Sequence, residues 1–208
     1  MSVQQYDSMN NTGIIILAAG GSSRFGNIKQ LLSFNGKTLL QHVIDEATKA
    51  GAHPIVLITG ADAAKVSASI ANSKVNILVN ENWQEGMASG IVAGVHNIVS
   101  LKDSIKKIIV AVCDQPYVTS ALFEQLYQMQ NKSGKPIVAC TYADTIGTPA
   151  LFAIKYFDQL LTLKGDEGAK KIIKSNRNDV ATVDFPKGEI DIDTQKDYEN
   201  LLDEQKHA

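Results

Sequence analysis

Between Leu17 and Lys29 the chain reads Leu-Ala-Ala-Gly-Gly-Ser-Ser-Arg-Phe-Gly-Asn-Ile-Lys. The small residues Ala18, Ala19, Gly20 and Gly21 let the main chain come close to a ligand, and successive backbone N–H groups form a hollow that takes an anion. Ser22 and Ser23 add hydroxyl donors. Arg24 can grip a phosphate with two parallel hydrogen bonds, while Lys29 brings a compact point charge. The chemistry these residues suit is the binding of a polyphosphate. Two other phosphate loops are excluded. A Walker A loop needs Gly-Lys-Ser/Thr, but Gly26 is followed by Asn27-Ile28; the dinucleotide pattern G-x-G-x-x-G is broken at Gly20-Gly21-Ser22. A plain strand-to-helix turn would leave the placement of Arg24 and Lys29 unexplained.

Two acidic segments supply the other half of such chemistry. Asp114 ends the apolar run Lys107 to Cys113 and is followed by Gln115-Pro116, which turns the chain away. Asp191-Ile192-Asp193-Thr194 precedes the last amphipathic stretch. Magnesium is commonly held by one or two carboxylates together with phosphate oxygens and water. Asp114 with Asp193 fits that pattern, although Asp191 lies on the same side of an extended backbone and is the alternative second ligand. Thr194 with Asp197 has the spacing of a helix cap. The four histidines are scattered and give no zinc spacing, and no Gly-x-Ser-x-Gly elbow is present.

Two further segments combine glycine with polar groups. Asn80-Glu81-Asn82-Trp83-Gln84-Glu85-Gly86-Met87-Ala88-Ser89-Gly90 opens a helix, and its Gly86, Met87 and Ser89 are placed to read a nucleobase edge; Trp83 reads as a hydrophobic staple. Gly165-Asp166-Glu167-Gly168 precedes another helical stretch, where Asp166 suits a cap.

The elements that position these residues alternate. Gly13 to Ala19 is an all-apolar strand, Thr38 to Ala50 a helix, Pro54 to Thr59 a strand, Ala61 to Ala71 a helix and Val75 to Val79 a strand. A helix from Met87 to Val99 leads to the strand Lys107 to Cys113. This order implies one doubly wound, mostly parallel sheet with helices on both faces. Ligands then bind beyond the carboxyl ends of the strands, in the loops after Ala19, Gly60, Asn80 and Cys113. The second half is a mixed β region: strands Pro136 to Tyr142 and Thr148 to Ile154 joined by a polar link, short helices Lys155 to Leu163 and Glu167 to Asn176, a strand Val180 to Phe185 and a terminal helix from Thr194.

With 208 residues, one α/β domain over residues 13–208 is expected, behind a disordered tail of residues 1–12. A net charge of −2 argues against nucleic acid as a partner. The tail lacks the features of a signal peptide, and the longest apolar run is far below the roughly 20 residues that span a bilayer. A cytoplasmic protein is expected, with Cys113 and Cys140 as buried reduced thiols.

Taken in order, LAAGGSSRFGNIKQLL, NENWQEGMASG, CDQP, GTPALF, LKGDEGAKKII and DIDTQKDY resemble the MobA-like nucleotidyltransferases, most closely the molybdenum cofactor cytidylyltransferase (MocA-like) branch. The resemblance runs from Gly13 to Leu202. It implies a Rossmann-like fold of the nucleotide-diphospho-sugar transferase type. The triphosphate would lie on Leu17 to Gly21 with Arg24 and Lys29, and Mg²⁺, or Mn²⁺ in its place, on Asp114 and Asp193. The start Ala18-Ala19-Gly20 implies CTP. The acceptor would be the phosphate of a molybdopterin-type cofactor, held near Gln115, Pro116, Gly147, Thr148, Pro149, Gly165, Asp166 and Gly168, and the product would serve a molybdoenzyme of the xanthine dehydrogenase type. Two alternatives remain at this point: a nucleotidyltransferase acting on a sugar or polyol phosphate, and a non-catalytic accessory protein that binds nucleotide or cofactor during molybdoenzyme maturation.

Overall fold

A computed structural model describes residues 9–21, 28–70 and 74–206. Its strands are β1 (Thr12–Ala18), β2 (Ser33–Phe34), β3 (Lys37–Thr38), β4 (Ile55–Thr59), β5 (Asn76–Val79), β6 (Lys107–Val112), β7 (Ile137–Tyr142), β8 (Thr145–Ala153) and β9 (Val180–Asp184). Its helices are α1 (Leu39–Lys49), α2 (Ala63–Ala68), α3 (Met87–Leu101), α4 (Ser120–Ser133), α5 (Phe157–Leu161), α6 (Ala169–Ser175) and α7 (Gln195–Lys206).

Seven strands form one sheet in the order β5-β4-β1-β6-β8-β7-β9. β1 pairs in parallel with both β4 and β6, and β4 in parallel with β5, so the chain leaves β1 toward one side and later returns to the other. That reversal opens a crevice beyond the carboxyl ends of β1 and β6, the place where open α/β sheets bind ligands. β8 runs antiparallel to both β6 and β7, which makes the second half mixed as expected. β1 and β4 are apolar at successive positions because both of their faces are covered. Ile14 and Ile16 face the core beneath α1 and α4, and Ile15 faces the core shared with α3, α5 and α6. A third, smaller cluster of Phe34, Leu39, Ile192 and Leu201 seats α7 against the β2–β3 hairpin, where the Tyr198 hydroxyl donates to the Ser33 carbonyl at 2.9 Å.

Several elements differ from expectation. α4 was not expected: its polar composition masks the apolar positions Leu122, Phe123, Leu126 and Tyr127, which recur at helical spacing and are buried. Thr119 caps it by accepting the Leu122 N–H, and Gly134 at φ 67° ends it. The β2–β3 hairpin was also unforeseen, although Asn35-Gly36, at φ 49° and 75°, is a tight-turn pair. The polar link before the eighth strand shrinks to Ala143-Asp144, and β8 begins at Thr145 instead of Thr148. The helix expected from Lys155 to Leu163 reduces to α5 after a 3-10 turn at Ile154–Tyr156. The expected tail is shorter at its inner end, because Thr12 belongs to β1 and Met9 is buried in the core; residues 1–8 lie outside the described residues. Both cysteines are buried and free.

Candidate active site

The crevice at the strand reversal is a cleft of about 590 Å³. Its floor is the end of β1 and the turn after it, where Leu17, Ala18, Ala19, Gly20 and Gly21 all reach the cleft wall. Gln30 holds this turn. The residue is 3% exposed, and its side-chain Nε2 donates to the carbonyls of Ala18 and Gly20, at 3.0 Å each. With those two carbonyls engaged from behind, the turn keeps one shape. Gly60 packs below it: an added Cβ would stand 2.7 Å from the Ala19 carbonyl oxygen and 2.7 Å from Trp83 Cβ, so only glycine permits this approach. Gly60 is therefore a packing position beside the cleft rather than part of its lining. Ser22, Ser23 and Arg24 lie outside the described residues.

The cleft is also lined by an ion-pair triad. The Lys29 ammonium donates to Asp114 Oδ2 at 2.8 Å and to Asp193 Oδ1 at 2.9 Å. Residues 85 and 164 positions away in sequence thus converge on one cation. Asp114 arrives at the carboxyl end of β6. Asp193 arrives because the Ile192 N–H donates to the Asp114 carbonyl at 3.1 Å, tying the two acidic segments together. Thr194 and Asp197 form the capping box expected of them, with Asp197 Oδ2 accepting from Thr194 N and Thr194 Oγ1. That leaves Asp193 to face Lys29. Burial works against the Lys29 charge, yet the Asp114 charge and the hydrogen bonds of both aspartates hold its pKa above the ordinary lysine range. Asp191, which lines the same cleft, has its pKa raised by burial and then by the charges of Asp193 and Asp114. Burial, reinforced by the Asp114 charge, pushes the Cys113 thiol up, and burial pushes Cys140 up to about 12, so neither is a thiolate nucleophile at neutral pH.

One wall comes from the segment before α3. Gly86, at φ 100°, adopts a conformation open to glycine, and an added Cβ would stand 2.4 Å from the Gly165 carbonyl oxygen. The Ala88 N–H donates to that same carbonyl at 3.1 Å, so the Gly165–Gly168 segment is docked on the start of α3. Asn80, Gly86, Met87 and Asp166 line the cleft. Ser89 does not: its hydroxyl donates to the Gly86 carbonyl and accepts from Asn80 Nδ2, each at 2.8 Å, and it faces a neighbouring groove together with Gly165. Gly168 lies under Met87, whose sulfur would be 2.9 Å from an added Cβ.

The opposite wall is built from β7 and β8. Gln115 is 3% exposed and donates to the Gly188 carbonyl at 2.8 Å. The Tyr142 hydroxyl meets the side chains of Gln115 and Thr148; burial raises its pKa against those contacts. Gly147 lies directly beneath this hydroxyl, 2.3 Å from where its Cβ would be. Gln115 and Thr148 thus line the cleft, whereas Gly147, Pro116 and Pro149 are buried behind it. The sequence reading missed Gln30, Trp83, Tyr142 and Gly188. Gln30 carried a signal, since it directly follows Lys29 in the same motif. Trp83 is a cleft wall that packs over Gly21 and Gly60 rather than a staple. Tyr142 and Gly188 carried none.

Two carboxylates already directed at one cationic point are a donor set suited to a hard divalent ion. Among the described residues no group of three or more His, Cys, Asp or Glu could hold a metal. Such an ion would therefore rely on Asp114, Asp193, substrate phosphate oxygens and water, which is magnesium-like coordination.

The model of the MobA-like NTP transferase domain matches residues 14–180. The chain belongs to the MobA-like NTP transferase family. The resemblance drawn from the motifs is borne out at that level: the family is one of nucleotidyltransferases, and a nucleotidyl transferase from Methanothermobacter thermautotroptrophicus shares the fold, with a TM-score of 0.80 at 21% identity over 94% of this chain and 97% of that one. It is 34% identical over 103 residues to nicotine blue oxidoreductase of Paenarthrobacter nicotinovorans, a match covering 49% of this chain and 48% of that protein; the aligned region is thus about half of that relative's length. It is 23% identical to the purine catabolism protein PucB of Bacillus subtilis, over 89% of this chain and 93% of that one. The crystal structure of Rv0371c from Mycobacterium tuberculosis superimposes with a TM-score of 0.81 at 30% identity, covering 94% of this chain and 100% of that chain. The same protein has been solved in complex with manganese, and that structure superimposes with a TM-score of 0.77 at 29% identity over 93% of this chain and 99% of that one. No described helix of this family member is long and apolar enough to cross a membrane.

Proposed function

We propose that this nucleotidyltransferase moves CMP from CTP to the phosphate of a molybdopterin-type cofactor and releases pyrophosphate. The observation that carries the reading is the triad of Lys29, Asp114 and Asp193 beside the Ala18–Gly21 turn, inside one cleft that Asp166 of the GDEG segment lines on the α3 side and Thr148 of GTPALF lines on the β7–β8 side. Ala18-Ala19-Gly20, by family resemblance, favours cytosine. GTPALF and GDEGAKKII favour the molybdopterin acceptor, and both run beside the cleft.

The turn would take the triphosphate through its outward N–H groups, while Lys29 and Arg24 offset charge on the leaving pyrophosphate. Asp114 and Asp193 would hold Mg²⁺ or Mn²⁺; the similar protein Rv0371c has been solved in complex with manganese. When bound, the ion would supply charge neutralisation to the phosphate oxygens of the substrate. The opposite wall would place an acceptor phosphate oxygen in line with the bond to pyrophosphate, so positioning supplies much of the rate. No covalent enzyme intermediate is required, and the two buried thiols offer none. A cytoplasmic location and a molybdoenzyme of the xanthine dehydrogenase type as recipient complete the proposal.

Pyrophosphate release measured with each nucleoside triphosphate, with and without molybdopterin, tests it. Release that requires both CTP and molybdopterin is expected. Release independent of molybdopterin but stimulated by a sugar phosphate would replace the acceptor, and binding without release would favour an accessory role.

A further inference from the structure

Lys29 occupies a place at odds with a simple phosphate-binding role. Its ammonium lies 2.8 Å from Asp114 and 2.9 Å from Asp193, with the lysine side chain only 15% exposed. These are the same two carboxylates assigned to the divalent ion in the functional reading above, on which this inference rests. The other lysine ion pairs are of a different kind: in the pairs with Asp45, Glu46, Asp62, Asp179 and Glu167, the lysine side chain is between 51% and 73% exposed. Those cations are largely solvated, whereas that of Lys29 is mostly buried and bonded to two acids that line the cleft.

An ammonium and a divalent ion use the same carboxylate lone pairs. The first sits at about 2.8 Å from the oxygens and the second at about 2.1 Å, so their positions between two shared acids overlap. Two positive centres cannot share that point, because their repulsion rises as the surroundings lose water. We propose that Lys29 competes with the divalent ion for Asp114 and Asp193 and has to leave them before the metal can bind, its ammonium passing to substrate phosphate oxygens.

The local architecture gives the lysine somewhere to go. Lys29 lines the same cleft as Gly20 and Gly21, and the next residue, Gln30, is bonded to the Ala18 and Gly20 carbonyls. The base of the Lys29 side chain is thereby fixed against the phosphate turn, and rotation about its flexible four-carbon stem carries the charge between acids and turn. Without a nucleotide, displacement by metal costs the ammonium its hydrogen bonds to Asp114 and Asp193. With a triphosphate present, lysine and metal each gain a partner. One residue therefore makes metal and nucleotide binding mutually reinforcing, and favours a metal that enters with the nucleotide over one resident beforehand.

The test is Mn²⁺ titration by electron paramagnetic resonance in the absence of nucleotide, on wild type, Lys29→Met and Lys29→Arg. Lys29→Met is expected to bind Mn²⁺ at least about tenfold more tightly than wild type, and Lys29→Arg to remain weak, because it keeps the competing charge. A non-hydrolysable CTP analogue should raise Mn²⁺ affinity more in wild type than in Lys29→Met. Equal or weaker nucleotide-free Mn²⁺ binding by Lys29→Met would overturn the proposal. Thermal unfolding checks that each variant is folded, and Lys29→Gln replaces Lys29→Met if the latter is not. Adding Asp114→Asn to Lys29→Met should abolish the gained affinity. If tight binding persists in that double variant, the ion sits elsewhere and the metal assignment in the functional reading fails, an outcome separate from the failure of competition.

Discussion

The two ends of the cleft are built on different principles. At the phosphate end, charge converges: one lysine meets two aspartates beside a turn of small residues. At the acceptor end, fit dominates. Gly147 and Gly188 both press on Tyr142, with an added Cβ at 2.3 Å from its hydroxyl and 2.5 Å from its ring respectively, and Gln115 is bonded to the Gly188 carbonyl. The first arrangement suits a ligand common to many enzymes, a metal-bound triphosphate. The second suits discrimination by shape, where a displaced ring changes which acceptor is accepted. On the proposed reading, chemistry and specificity are held by separate parts of one cleft, beside the ends of β1 and β6 for the first and of β7 and β8 for the second.

The largest expected effect breaks the phosphate end. Asp114→Asn should lower pyrophosphate release by about 10²–10³-fold, as loss of a charge-stabilising group at a reacting phosphate commonly does. Comparing Asp193→Asn with Asp191→Asn in the same assay sharpens the assignment of the second acid. Asp193→Asn should cost about tenfold more, because Asp193 alone of the two is paired with Lys29. Gln30→Leu removes both bonds to the Ala18 and Gly20 carbonyls; the KM for CTP should rise about tenfold with a smaller change in kcat, since the turn loses its shape rather than its charge. At the other end, Gly147→Ala displaces the Tyr142 hydroxyl. It should raise the KM for the acceptor a few-fold while leaving the KM for CTP unchanged. If both constants move together, the two ends are not separate.

The smallest effect concerns the support behind the acceptor end. Glu46 on α1 accepts the Ser120 N–H at the start of α4 at 2.8 Å. Burial opposes its charge, but the Lys49 hydrogen bond and the Ser120 N–H outweigh it and hold the Glu46 pKa below its ordinary 4.5. A carboxylate with a depressed folded pKa stabilises above the unfolded value and loses that contribution as pH falls through the folded one. Glu46→Gln should therefore lower Tm by about 1–3 °C at pH 7, with the difference shrinking as the pH falls through the lowered folded pKa.

How much of this was readable from the chain follows the same division. The phosphate end is local in sequence: Leu17 to Lys29 supply the turn and its lysine, and Asp114 and Asp193 each sit at a recognisable strand or helix end. The alternating order gave the parallel core, because strands covered on both faces show as unbroken apolar runs. The acceptor end was less readable. Tyr142 and Gly188 are a strand residue and a loop residue of common type, made meaningful only by β8 running antiparallel between β6 and β7. α4 was hidden because its buried positions are diluted among glutamine, lysine and asparagine. Ser89 had the right type and position for base contact, yet its hydroxyl is spent on Gly86 and Asn80. Such a choice between partners is invisible without coordinates.

The central claim is transfer of CMP onto a molybdopterin phosphate across this cleft, and mass spectrometry of the reaction products tests it most directly. With CTP, molybdopterin and Mg²⁺, wild type should yield the cofactor joined to CMP together with an equal amount of pyrophosphate. Pyrophosphate without that adduct, or the adduct forming only with a different phosphorylated acceptor, would contradict it.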